Sequence, residues 1–229
     1  MKNKIWLKNY PNGVNTSAKL DAYNSFAEFL DDGFKNYSDL IAFENMGKTI
    51  TYNELDILSK NFSLYLTEEL KLKKGDRLII QSPNVLQYPI ALFAALRSGI
   101  VVVNTNPLYT PNEMQHQFKD SGAKAILILS NFAYNLEKII SNTDIKYVIV
   151  SDIGDMLGGI KGFITNFVVK NIKKMVPKYN LPEALSFKKA LEIGSKHDFK
   201  KHKINSDDIA FLQYTGGTTG VSKGAMLTH

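Results

Sequence analysis

The sequence contains no cysteine. That removes disulfides, zinc–thiolate sites and thiol nucleophiles together, and it suits a reducing compartment, so a cytosolic protein is expected. Long apolar runs are also missing. The longest, Pro89 to Leu96, falls far short of the roughly 18 residues that a membrane-crossing helix needs. The start, Met1 to Leu7, carries two lysines but only Ile5-Trp6-Leu7 as an apolar stretch, against about 7 to 15 residues in a signal-peptide core. His116, His197, His202 and His229 stand without ligand spacing, so no metal site built from them is expected. There is no internal repeat and no low-complexity tract.

What is present reads as an ordinary globular chain. At 229 residues, with 44% hydrophobic and 22% charged side chains, folding should bury roughly 70% of the unfolded surface, in one large domain or two small ones. The net charge of +6 is concentrated in one place. Residues 161 to 203 hold eleven lysines against three acids, a local +8, while the rest of the chain has 17 basic and 19 acidic residues.

From Thr51 onward, helical periodicity alternates with short β-branched runs, the mark of an α/β fold with a largely parallel sheet flanked by helices. Thr51-Tyr52-Asn53-Glu54 and Thr110-Pro111-Asn112-Glu113 read as capping boxes, the second with proline where its missing N–H is harmless. Helices are expected from Thr51 to about Glu69, Asn84 to Arg97, from Thr110, and Phe132 to about Ile140. Strands are expected at Arg77 to Gln81, Ile100 to Val103, Ala125 to Leu129, Tyr147 to Val150 and Ile209 to Tyr214, a sheet of at least five. Ahead of them, a helix around Ser25 to Asn36 leads into a hairpin turning at Asn45-Met46-Gly47.

After the last strand, Thr215-Gly216-Gly217-Thr218-Thr219-Gly220-Val221-Ser222-Lys223-Gly224 gathers four glycines, three threonines, a serine and a lysine. Glycines let backbone N–H groups approach an anion, hydroxyls add donors, and lysine supplies charge, so the string suits a polyphosphate. It is not a Walker A loop, because Ser222 precedes Lys223 and Gly224 follows it, and it does not match the dinucleotide fingerprint. On composition alone, a plain glycine turn between two strands competes with this reading.

The full string Tyr214 to Gly224 resembles the signature phosphate loop of the adenylate-forming superfamily, with Ser222 where many members have proline. The likeness continues through Lys73-Lys74-Gly75-Asp76-Arg77, Pro83 to Pro89, Val103 to Pro111, Phe167 to Lys170 and Val176 to Tyr179. These segments look like bacterial long-chain fatty-acyl-CoA ligases. The resemblance implies the N-terminal part of the adenylate-forming fold: residues 1–229 would belong to the AMP-binding (adenylation) domain, with 153–182 a basic amphipathic insertion and 214–224 the phosphate loop.

The resemblance also implies an activity, ligation of a long-chain fatty acid to coenzyme A with ATP and Mg2+, through an acyl-adenylate. Lys223 and Thr218 would act on the transferring phosphates. Tyr214, Thr215, Gly216, Gly217, Thr218, Thr219, Gly220, Ser222, Lys223 and Gly224 would bind the nucleotide, with Thr215 near the metal. Other parts of such a site, including the adenine and ribose motifs, the magnesium-binding Glu and a catalytic Lys, would lie past His229. Residues 1 to 229 alone are therefore expected to be inert.

Ile160, Phe163, Ile164, Phe167, Val168, Ile172, Met175 and Val176 form a helical stripe ending at Pro177, with Lys161, Lys170, Lys173 and Lys174 mostly off it. Such a helix either docks on the core or lies on a membrane, where each lysine near an anionic leaflet contributes about 1 kcal/mol. The second reading gives peripheral contact at the inner face of the cell membrane through 160–178. The lysines lack interleaved aromatics, so nucleic acid is not expected. Asp207-Asp208 read as turn residues. The resemblance leaves room for a homodimer, and a non-catalytic module binding nucleotide phosphate or a membrane surface stands as the alternative to the ligase.

Overall fold

The computed structural model describes residues 4–15, 17, 22–215 and 222–229. After a single 3-10 turn, Ile5–Asn9, the first helix, α1 (Phe26–Asn36), starts where the Ser25 hydroxyl accepts the Glu28 N–H. Strands β1 (Ile41–Asn45) and β2 (Lys48–Thr51) pair as the expected hairpin. Its turn has Met46 and Gly47 both at positive φ, the backbone that matches strand twist in a two-residue loop.

Both capping boxes form. Thr51 starts α2 (Tyr52–Leu64), its hydroxyl accepting from Glu54 N–H while the Glu54 carboxylate accepts Thr51 N–H at 2.8 Å. A wider helical turn, Tyr65–Glu69, continues α2 to the end expected for it. β3 (Arg77–Gln81) follows. The next helix, α3 (Gln87–Arg97), begins three residues later than expected. A turn closed by Val85 N–H on Pro83 C=O occupies the interval, and Pro89 sits in the first helical turn, where a missing N–H leaves no acceptor unpaired.

β4 (Val101–Asn104) leads to α4 (Pro111–Ser121), capped by Thr110 and Glu113 and ended by Gly122 at φ 58°. β5 (Ala125–Leu129) precedes α5 (Ala133–Glu137), shorter than expected because 3-10 turns take up both its flanks. β6 (Tyr147–Ser151), α6 (Gly159–Phe167), β7 (Leu185–Ser186) and α7 (Phe187–Gly194) follow, then β8 (Ile209–Thr215) and β9 (Lys223–Thr228).

Among the described residues the main sheet has seven strands in the order β7-β6-β5-β3-β4-β8-β9, parallel except for the β8–β9 pair. Alternation within strands sends side chains to both faces. Leu78, Ile80, Val102, Leu127 and Ile149 meet Phe62 of α2, Ile90 and Ala94 of α3 and Phe187 of α7 on one face. Ile79, Val103, Ile126, Ile128 and Val148 meet Met114 and Phe118 of α4 and Leu136 of α5 on the other. A sheet covered on both sides explains why its strands read as nearly unbroken apolar runs.

The basic segment departs from its expected form at its end. The helix runs only through α6 and a wider turn, Val168–Ile172, and does not reach Val176. Lys174, at φ 51°, leads the chain out of the helix as Met175 N–H closes on Val169 C=O. Of the two settings left open for the apolar stripe, docking on the core does not occur, because α6 packs by its small and polar side. A Cβ on Gly162 would lie 2.5 Å from the Gly154 carbonyl oxygen, so only glycine permits that approach. The Asn166 amide accepts Gly154 N–H at 2.8 Å and donates to Asp155. Ile160 and Phe163 are consequently left 78% and 72% exposed, with Ile164, Phe167, Ile172 and Met175 exposed beside them. No helix among the described residues is long and apolar enough to cross a membrane.

Candidate functional site

Segments leaving β3 and β4 diverge to opposite faces of the sheet, the first into α3 and the second into α4. In open α/β sheets such a divergence opens a ligand crevice outside the carboxyl ends of the strands. Here the crevice has a volume of about 450 Å³ and is completed by the carboxyl end of β8. Amides line it (Asn84, Asn104, Asn106, Gln213) together with hydroxyls of Ser82, Tyr88, Thr105, Tyr109 and Tyr214. Tyr88 donates to the Asn104 side chain at 3.0 Å. The Thr105 hydroxyl is buried without a partner among the described residues. This lining suits a neutral, hydrogen-bonding ligand surface.

The Gly/Thr string begins at the same end of the sheet. Its two ends are strand residues: Thr215 closes β8, Lys223 opens β9, and the two are paired across an antiparallel hairpin, with Tyr214 opposite Gly224 one step further in. A cationic side chain and a hydroxyl therefore face each other at the neck of the hairpin, both exposed. Strand β9 went unrecognised in the sequence because Lys223 to Thr228 carry no buried alternation; five of the six residues are exposed. Gly216, Gly217, Thr218, Thr219 and Gly220, together with Val221, lie outside the described residues.

Neighbouring side chains hold the neck. Tyr214, nearly buried beside Phe118 and Met114, donates its hydroxyl proton to the Asp120 carboxylate at 2.5 Å. Burial first, and then the bond to and charge of Asp120, push the phenol well above its ordinary range, so it remains a neutral donor at physiological pH. A Cβ on Gly224 would lie 3.0 Å from the Tyr214 ring, so a side chain there would press on the ring. His116 Nε2 lies 3.1 Å from the Ser222 carbonyl oxygen. His116 sits on α4 as expected, but its position beside Ser222 could not be read from a chain separation of 106 residues.

Of the other candidates, Asp208 is a turn residue, its carboxylate accepting Asn205 N–H at 2.6 Å and pairing with Lys74. Those two interactions hold it below the usual carboxylate range. No group of three or more His, Asp or Glu side chains among the described residues could hold a metal ion.

The model of the AMP-binding enzyme family matches residues 30–229. The chain is 51% identical over 226 residues to a long-chain-fatty-acid–CoA ligase of Salmonella typhimurium and 49% identical to that of Haemophilus influenzae, covering 99% of this chain. A long-chain-fatty-acid–CoA ligase of Bacillus subtilis is 30% identical. The chain spans 40% of the length of each of these relatives. Among solved structures, an anthranilate CoA ligase in complex with anthranoyl-AMP superposes with a TM-score of 0.73 at 17% identity, over 90% of this chain and 35% of that one. A long-chain-fatty-acid-CoA ligase from Archaeoglobus fulgidus gives 0.68 at 24% identity, over 90% and 37%. These likenesses carry the fold, and it is the mostly parallel, helix-flanked sheet expected from the sequence. With its matched family model running from within α1 through β9, the chain belongs to the AMP-binding enzyme family.

Proposed function

We infer that these residues form the phosphate-holding part of a long-chain fatty acid–CoA ligase. The observation that carries this reading is the neck formed by Thr215 and Lys223 at the carboxyl end of β8, in a chain half identical to curated long-chain-fatty-acid–CoA ligases along nearly its whole length. In the first step a fatty carboxylate oxygen attacks the α-phosphorus of ATP, supplied as its magnesium complex, and the bond to pyrophosphate breaks. In the second, the coenzyme A sulfur attacks the acyl carbon, and AMP leaves with the bonding electrons.

The first step gathers charge on the departing pyrophosphate, and fixed donors that need no reorganisation stabilise it. Lys223 supplies the positive charge. Thr215, Thr218, Thr219 and Ser222 would add hydroxyl donors, Gly216, Gly217, Gly220 and Gly224 carry no side chain that would keep phosphate from a backbone N–H, and Thr215 would be the contact to the magnesium ion. Tyr214 frames the loop. The test is fatty-acid-dependent ATP–pyrophosphate exchange in a chain continued to the relatives' full length. Lys223→Ala should lose about 10²- to 10³-fold in rate while fatty-acid binding is kept, as for removal of one preorganised donor. Exchange at the unmodified rate rejects the role of Lys223.

A second feature bears on where the enzyme works. Its apolar α6 face is turned outward, with Lys173, Lys174 and Lys178 exposed just beyond, and this suits attachment at the cytoplasmic surface of an anionic membrane, where fatty acids partition. Lys161 and Lys170 are partly engaged within the chain, the first with the Met46 carbonyl and the second with Asp152. Attachment therefore rests more on the apolar face than on all four lysines.

A further inference from the structure

Helix α4 presents two polar side chains one turn apart, His116 and Asp120, and each reaches a different stem of the β8–β9 hairpin. Asp120 accepts the hydroxyl proton of Tyr214 on the incoming stem at 2.5 Å. His116 Nε2 meets the Ser222 carbonyl on the outgoing stem at 3.1 Å. Since a carbonyl oxygen only accepts, Nε2 carries the proton in this contact. We propose that His116 and Asp120 are positioning residues that anchor both stems of the phosphate hairpin to α4 and so fix where the neck residues Thr215 and Lys223 stand. This rests on the reading of the hairpin as a phosphate site.

Three observations make α4 a suitable anchor. Its start is fixed by the Thr110–Glu113 capping box and its end by Gly122. Its buried Gln117 donates to the Asn104 carbonyl at 2.9 Å, tying the helix to the carboxyl end of β4. Met114 and Phe118 bury its apolar side in the core. The outgoing stem, in contrast, opens an edge strand with mostly exposed residues. A glycine-rich connection loses much conformational freedom on binding a ligand. Holding its stems beforehand reduces that cost, and the benefit should appear in nucleotide affinity.

The experiment uses the chain at the relatives' full length and two readouts: backbone amide hydrogen exchange of residues 214, 215 and 222–224, and the KM values for ATP and fatty acid in pyrophosphate exchange. His116→Ala and Asp120→Ala should each raise stem exchange and the KM for ATP about 10-fold, with the KM for fatty acid unchanged. His116→Gln, which keeps a donor, and Asp120→Asn, which keeps an acceptor, should stay within about 3-fold of the unmodified protein. Tyr214→Phe should match Asp120→Ala, and the double variant should be no worse than either alone, because both break one bond. Unchanged stem exchange in both alanine variants overturns the anchoring. Faster exchange with an unchanged KM for ATP overturns the positioning role. If the unmodified protein shows no fatty-acid-dependent exchange, the ligase reading fails by itself, and amide exchange still decides the anchoring.

Discussion

Arg97 ends α3 almost completely enclosed, with 4% of its surface exposed. Its guanidinium bonds the Asp56 carboxylate at 2.7 Å and Asp31 at 3.3 Å, donates to the Asp56 carbonyl and the Ser59 hydroxyl at 2.9 Å each, and lies 5.2 Å from the ring centres of both Phe34 and Phe199. Its removal takes a charged donor from Asp56 and Ser59 and leaves the pocket between Phe34 and Phe199 unfilled, while Lys60 and Lys201 still pair with the two carboxylates, so the loss is about 1 to 3 kcal/mol. Arg97→Ala should lower the urea-unfolding free energy by that amount, and Arg97→Lys should not restore it, since an ammonium cannot replace the planar fork. A change below 1 kcal/mol contradicts this account of the residue. Nothing in the sequence marks Arg97 as more than the last residue of a helix, because its partners come from α1, α2 and the segment after α7. The Gly/Thr string is the opposite case: the residues proposed to hold phosphate are neighbours in the chain, so the proposal could be made from the sequence. His116 and Asp120 were not legible as its supports, since contacts 106 and 94 residues apart leave no periodic signature.

Helix α6 has an orientation opposite to that of an ordinary surface helix. Its heptad-like stripe was visible as periodicity, but periodicity names a face without saying what the face meets. The deciding residues are Gly162 and Asn166, which bring the small side against Gly154 and leave the apolar side outward. Replacing Phe163 and Phe167 together by serine should abolish co-sedimentation with vesicles containing phosphatidylglycerol, and should leave thermal unfolding within about 2 °C, since neither ring packs in the core. Undiminished co-sedimentation contradicts membrane docking through α6. Other elements were legible in proportion to their local signals. The two capping boxes gave helix starts to the residue, and buried strands β3 to β6 were found within one residue of their ends. Edge strands β7 and β9 were missed because one is two residues long and the other has no buried alternation.

The molecule as a whole brings two features to the carboxyl end of one sheet: a neutral crevice where β3 and β4 part, and a hairpin neck bearing Lys223 and Thr215 at the end of β8. The parallel α/β class followed from alternating periodicities, whereas the strand order did not, because the return from β7 to β8 beside β4 is set by long-range pairing. That return places Tyr214, the residue ahead of the Gly/Thr string, in the wall of the crevice. The activity proposed for this arrangement, AMP-forming ligation of a fatty acid, is tested by the identity of the products. The chain continued to its relatives' length, given a long-chain fatty acid, MgATP and coenzyme A, should yield acyl-CoA, AMP and pyrophosphate in equal amounts. Formation of ADP and phosphate instead, or no acyl-CoA with any long-chain fatty acid, would contradict it.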